Sequence, residues 1–145
     1  MVDMRVSDVM VKNPYRVELL TSVRDVARLM RDKSISSVIL VKNEKPMGII
    51  TERDLVWRVI AAGKDPESLT AFDICSKPVV ACSEFTDLED AVNLMKENKI
   101  RRMVVVDKDD KVRGILTTDD IGYNLKSMSE DLAVKYMTTL KRKTM

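Results

Sequence analysis

The feature that most constrains this chain is that it is written twice. The stretch "TSVRDVARLMRDKSISSVILVKNE" (21–44) lies over "TDLEDAVNLMKENKIRRMVVVDKD" (86–109) at a constant offset of 65 residues. Thr21/Thr86, Asp25/Asp90, Leu29/Leu94, Met30/Met95, Ile35/Ile100 and Val41/Val106 coincide, and most other pairs are similar. One extra residue near Asp110 moves the offset to 66, after which "GIITERDL" (48–55) aligns with "GILTTDDI" (114–121). Upstream, "SDVMVKNP" (7–14) answers "FDICSKPV" (72–79). Repetition at this period means two copies of one supersecondary unit. A unit of ~60 residues buries only ~60% of its chain surface and is marginal alone, which is a physical reason for doubling it.

Each copy reads as strand, helix, strand, strand, helix. In the helix Val23–Lys33, Val23, Val26, Ala27 and Met30 fall on one face; in its twin, Leu88, Ala91, Val92 and Met95 do. Thr86 and Glu89 have the spacing of a capping box. The β-branched runs "SSVILV" (36–41) and "RMVVVD" (102–107) predict strands. Loops of about five residues then lead to "MGIIT" (47–51) and "RGILT" (113–117), completing hairpins. A helix from Thr51 should stop at Gly63. The predicted organisation is repeat 1 over 1–63, a polar linker over 64–70, repeat 2 over 71–128, and a short amphipathic helix (129–140) with a basic tail to 145.

Composition removes several function classes. The net charge of +2 gives no strong electrostatic case for nucleic acid or an anionic membrane. One Trp, three Tyr and two Phe offer few stacking platforms for single strands. No apolar run approaches the ~20 residues of a membrane span, and the acidic start "MVDMRVSDVM" is unlike a signal peptide, so a cytoplasmic protein is expected. Histidine is absent, which removes the commonest general base and metal ligand. Cys75 and Cys82 are too few for a zinc site, and as Cys75 stands where the first copy has Met10, both read as small core residues. No catalytic residue, metal ligand or catalytic cofactor is expected, and the chain reads as a non-enzyme.

The repeated turn, strand–Gly-x-x-Thr-x-x-Asp–helix, has two readings. Thr51 and Thr117 can cap the helix, with Asp54 and Asp120 as reciprocal acids. A helix start also offers free amides to an anion, a Thr hydroxyl can donate to a phosphate, and a carboxylate one turn on can take both hydroxyls of a ribose. Gly48 and Gly114 precede the Thr by three in both copies, although the chain holds only four glycines.

Taken together, the Asp-Val-Met-like start, the Pro that follows, the Ala- and Met-containing helix, the strand after Lys-x-Ile-x-x and the closing Gly-Ile-x-Thr-x-x-Asp-Leu/Ile resemble a tandem pair of CBS domains, the Bateman module. The likeness covers about residues 2–128. It implies an α/β (α+β) fold: two βαββα units related by a pseudo-two-fold axis, sheets packed together and helices outside, often further paired as a homodimer. It also implies a regulatory adenosyl ligand (AMP, ADP, ATP or an S-adenosyl compound, AMP foremost) sensed in clefts between the halves, and an unidentified regulated partner protein. Carried over, Asp54 and Asp120 would hold ribose hydroxyls, Thr51 and Thr117 would contact phosphate, and Val17 and Val80 with their neighbours would sandwich the adenine. The alternative is a ligand-free dimerisation module.

The copies differ. Arg101 and Arg102 stand where the first copy has Ser36 and Ser37; guanidinium groups suit phosphate, and the alternative is a solvated rim. Arg53 in the first turn could assist a phosphate or form an (i, i+4) surface pair. Asp119 beside Asp120 disfavours a highly charged phosphate chain, so a monophosphate or a neutral-tailed adenosine compound is expected there rather than ATP. Trp57 and Tyr123 occupy the same place in both copies and suggest either a homodimer seam or ordinary helix-to-sheet core packing.

Overall fold

The computed structural model describes residues 4–125 together with 137–138. In chain order the elements are a 3₁₀ turn (Val6–Asp8), β1 (Val11–Lys12), β2 (Arg16–Glu18), α1 (Val23–Lys33), β3 (Ser37–Lys42), β4 (Lys45–Thr51) and α2 (Glu52–Leu55). A π turn (Val56–Ile60), α3 (Ala71–Ile74), β5 (Ala81–Ser83), α4 (Leu88–Asn98), β6 (Arg102–Val106), β7 (Val112–Thr117) and α5 (Thr118–Asn124) follow. The strand–helix–strand–strand–helix order therefore stands twice, as the sequence predicts, in a mixed α+β chain with two sheets. Of the segment 129–145, expected to hold a helix and a basic tail, only Met137 and Thr138 are described; both are helical, and the rest lies outside the described residues.

The chain divides into two compact units. One is residues 14–79, with the sheet β2-β3-β4, in which β2 runs parallel to β3 and β3 antiparallel to β4. The other joins 1–13 to the chain from Val80 onward, with the sheet β1-β7-β6-β5. Each unit thus carries the leader of the other repeat. In the second unit the Val6 amide donates to the Thr86 carbonyl at 2.9 Å and the Leu88 amide to the Met4 carbonyl at 2.8 Å. In the first, the matching bonds run from Ala71 to Thr21 at 2.7 Å and from Val23 to Leu69 at 2.9 Å. Val23 and Leu88 open α1 and α4, and Val6 and Ala71 open the 3₁₀ turn and α3, so all four are first-turn amides that no residue inside their own helix can serve.

Helix α1 is capped by Ser22, whose hydroxyl accepts from the Asp25 amide at 3.0 Å. The capping box expected at Thr86 and Glu89 does not form. The N-cap of α4 is Asp87, which makes no side-chain cap bond; the Met4 carbonyl already serves the first amide. Both helices end on a left-handed residue, Ser34 and Lys99.

The first hairpin is tighter than expected. Lys42 pairs with Lys45, and Asn43 and Glu44 alone make the turn, both at positive φ. The second hairpin keeps a five-residue loop, 107–111. Gly63 ends the 51–63 helical segment at φ +67 as predicted.

Each unit has its own apolar cluster. Val23, Val26, Met30, Val38, Leu40, Ile50 and Val59 form one with Ala71, Ile74 and Cys75 of the leader. Cys82, Leu88, Ala91, Val92, Met95, Met103, Val105, Leu116, Ile121 and Leu125 form the other with Val6, Val9 and Met10. Both cysteines are buried free thiols, as expected. Ala27 is a correction: it is exposed and borders an open apolar groove of about 250 Å³ with Val23, Leu55, Val59 and Ile60, whereas its twin Val92 is 2% exposed. The alanine side chain is too small to close the space between α1 and the π turn.

Candidate functional site

The two repeated turns stand at corresponding ends of the two sheets. In the first unit β4 ends at Thr51, whose register partner on β3 is Ser37, and the Glu52 amide donates to the Ser36 carbonyl at 3.1 Å. In the second, Thr117 pairs with Arg102, and the Thr118 amide donates to the Arg101 carbonyl at 3.0 Å. The serine and arginine pairs singled out in the sequence therefore flank the turns directly. Because β2 is parallel to β3, and β5 to β6, the start of the first strand of each unit lies at that same end. Three strands span about 10 Å in the hydrogen-bonding direction, so each sheet end brings a first-strand start, a Ser or Arg pair and a Thr/Asp turn within the reach of one nucleoside.

The two turns are built from the same residues but bonded differently. Asp54 is 8% exposed, the one buried charged residue among those described. Its Oδ2 accepts from the Thr51 amide at 2.9 Å and from Thr51 Oγ1 at 3.3 Å, while its Oδ1 faces Arg58 Nε at 3.6 Å. In the second turn Thr117 Oγ1 accepts from the Asp120 amide at 3.1 Å and donates to Asp120 Oδ2 at 2.7 Å. Each carboxylate has one oxygen committed to its threonine. With two lone pairs per oxygen, both retain acceptor capacity, and among the described residues no cation forms an ion pair with Asp120.

The conspicuous glycines have a different purpose from the one the phosphate reading suggests. A Cβ on Gly48 would stand 2.5 Å from Cys75 Sγ and 3.3 Å from the Ser76 carbonyl; one on Gly114 would stand 2.6 Å from Met10 Sδ and 2.8 Å from the Val11 carbonyl. Both glycines let a leader cross the last strand at close range. Ser76 and Ile49 exchange two backbone bonds there, at 2.9 and 3.2 Å, and Val11 pairs with Ile115.

The remaining predicted residues are more scattered. Arg53 is exposed, with its guanidinium 5.0 Å from the Trp57 ring centroid, so the (i, i+4) pair it forms is a cation–π contact. Val17 and Val80 are half-buried and pack against the clusters of their own units. They are not equivalents: strand register places Val17 opposite Leu40 and Cys82 opposite Val105. The true twin of Val80 is Tyr15, whose carbonyl accepts from the Ile39 amide as that of Val80 does from Val104. Tyr15 is 44% exposed, with Lys33 Nζ 6.0 Å from its ring. Reading the offset of 65 through to the first strand would have found it. Arg58 was also missed: two of its partners are distant backbone carbonyls, although its (i, i+4) spacing from Asp54 is a signal that could have found it. Among the described residues no group of three or more Asp, Glu, Cys or His is arranged to hold a metal ion, and no helix is long and apolar enough to cross a membrane.

Comparison with known proteins agrees with this geometry. The model of the CBS domain matches residues 6–60 and again 71–125. The chain belongs to the CBS-domain family and holds two copies of the domain. It is 44% identical over 98 residues to the uncharacterized protein MK0525 of Methanopyrus kandleri, covering 67% of this chain and 50% of that one; the chain thus spans about half the length of that relative. Among solved structures, CBSX2 in complex with AMP matches at TM-score 0.72 and 26% identity, over 87% of this chain and 99% of that one. The CBS domain protein PAE2072 from Pyrobaculum aerophilum, complexed with AMP, shares the fold at TM-score 0.76 and 21% identity, over 93% and 99%.

Proposed function

We propose that the chain is a non-catalytic regulatory module that binds an adenine nucleotide, AMP foremost, and passes its occupancy to a partner protein. Asp54 and Asp120 take the ribose hydroxyls. Thr51 with Arg53, and Thr117 with Arg101 and Arg102, serve the phosphate. Tyr15 and Val17 in one unit and Val80 in the other lie against the base. The observation that carries this reading is the convergence, twice, of a carboxylate, a hydroxyl and a first-strand start on one sheet end. The AMP complex of CBSX2 supports the ligand class. Asp119 beside Asp120 favours a monophosphate in the second turn, since each added phosphate brings more negative charge towards it.

Calorimetric titration with AMP, ADP, ATP, S-adenosylmethionine and NAD tests it. AMP should bind, and Asp54→Ala and Asp120→Ala should each weaken their own turn tenfold or more, the size of one charge-assisted hydrogen bond. A panel in which no adenosine compound binds refutes the proposal.

A second reading, a ligand-free dimerisation module, is favoured by one observation. Val56, Trp57 and Ile60 leave 50%, 63% and 72% of their surfaces exposed on a single helical segment, an apolar face that a second copy would cover. A silent panel together with a dimer in sedimentation would select it.

A further inference from the structure

We propose that Arg58 is a positioning residue that ties the Asp54 carboxylate to the 71–79 leader, so that a ligand drawing on Asp54 loosens the leader's hold. The ligand half rests on the nucleotide reading above; the tie itself does not. Arg58 sits on the π turn one helical step after Asp54, half-exposed, with its guanidinium between two anchors. Nε faces Asp54 Oδ1 at 3.6 Å, and Nη1 is shared between the carbonyls of Ile74 and Cys75 at 3.1 and 3.3 Å. Those carbonyls close α3, where no amide of the helix itself can reach them. The next residue, Ser76, makes the two-bond bridge to Ile49 on β4, two residues before Thr51. The leader is therefore fastened on both sides of the Thr51–Asp54 turn, by the bridge before it and by Arg58 after it.

The second turn carries no guanidinium at the matching place. The residue equivalent to Arg58 is Asn124, a neutral side chain whose Nδ2 donates to the main-chain carbonyl of Asp120 at 2.8 Å. A planar guanidinium can hold two acceptors at once in fixed geometry, whereas an amide cannot balance a carboxylate's charge. A ribose diol donating to Asp54 Oδ1 would draw on the charge that steadies Arg58. The carbonyls of Ile74 and Cys75 would then lose a placed donor, and only the Asp54 turn would report its occupancy to a leader in this way.

Residue-resolved hydrogen exchange on the full chain tests both halves. Without ligand, Arg58→Gln should speed exchange at the Ser76 amide about tenfold, the equivalent of one charge-assisted hydrogen bond, and Asp54→Asn, which removes only the ion pair, about two- to fivefold. The double variant should be no faster than Arg58→Gln alone, because both break one linkage. Additive effects, or an Asp54→Asn chain with unchanged Ser76 exchange, overturn the tie. Arg58→Lys keeps the cation but not the fork; it should fold with wild-type melting and still exchange fast at Ser76, and a slow Ser76 in it also counts against the tie. In an Asp120→Ala background, saturating AMP should speed Ser76 exchange, and should add nothing once Arg58 is Gln. AMP that binds there and leaves Ser76 unchanged refutes the regulatory half. AMP that does not bind refutes the nucleotide reading and that half with it, while the ligand-free cycle still decides the role of Arg58.

Discussion

At the scale of single residues, the two motif glycines and the buried thiols make the firmest predictions. Gly114 is the stricter glycine, because a Cβ there would stand 2.8 Å from a backbone carbonyl, that of Val11, which cannot turn aside. Gly48 meets Cys75 Sγ at 2.5 Å, a short side chain already packed in the cluster. Gly114→Ala should destabilise the chain by about 1–3 kcal/mol, the usual cost of overpacking, and Gly48→Ala by a similar or smaller amount; urea unfolding measures both. A Gly114→Ala chain of wild-type stability would mean that the leader does not cross the strand closely. Burial pushes the Cys82 thiol up to about 11 and raises the Cys75 thiol as well. The folded state thus favours the protonated thiol. That contribution to stability is complete below the unfolded thiol's range and is lost as pH rises through about 9 towards about 11. At pH 8 the thiolate fraction of Cys82 should be about a hundredfold below that of a free cysteine, with alkylation slowed accordingly. Rapid labelling of Cys82 in the folded chain would contradict its placement between Ala81 and Ser83 on β5, facing the cluster.

At the scale of elements, the exchange of leaders is the feature with consequences. Val6 is fully buried and belongs to the cluster of Leu88, Met103 and Leu116, although it stands at the start of the first repeat in sequence. Val6→Ala should cost about 1.5–3 kcal/mol, and the amides that lose protection in hydrogen exchange should lie in 80–125 far more than in 14–79. Losses concentrated in 14–60 would mean that each leader serves its own repeat. This exchange was not legible in the sequence. An offset of 65 shows that "SDVMVKNP" and "FDICSKPV" are equivalent; it cannot show which copy each packs on, because the two sheets present nearly the same apolar surface. Much else was legible. The 3.6-residue spacing of Val23, Val26 and Met30 and of Leu88, Ala91, Val92 and Met95 gives α1 and α4 with their buried faces, and the β-branched runs give β3 and β6. The helix-capping reading of Thr51 and Asp54 was also on the page, since reciprocal bonds three residues apart are local. What failed depended on distant backbone: the α4 cap taken by Met4, the guanidinium of Arg58 on the carbonyls of Ile74 and Cys75, and the crossing that demands the glycines.

At the scale of the whole molecule, duplication makes the number of working sites measurable through stability alone. A ligand that binds only the folded state adds RT ln(1 + [L]/Kd) for each site. At about 100 times Kd that is about 2.7 kcal/mol per site, or on the order of 5–10 °C in melting temperature for a chain of this size. If both turns bind AMP independently, this concentration should yield roughly twice that increment, with Asp54→Ala and Asp120→Ala each removing about a quarter of the total for a tenfold loss of affinity at its own turn. The bonding of the two turns predicts an uneven split at lower concentrations. Asp54 must share Oδ1 with Arg58, whereas no described residue forms an ion pair with Asp120. The Asp120 turn should therefore fill first, and Asp120→Ala should shift the midpoint of a thermal titration to higher AMP more than Asp54→Ala does. The same arithmetic separates ligands. The carboxylate of Asp119 next to that turn should leave ATP with a smaller increment than AMP at equal concentration in the Asp54→Ala chain. An ATP increment larger than that of AMP in that chain would reverse the assignment of the second turn to a monophosphate. It would leave Arg101 and Arg102, rather than Asp119, as the charges that govern the site.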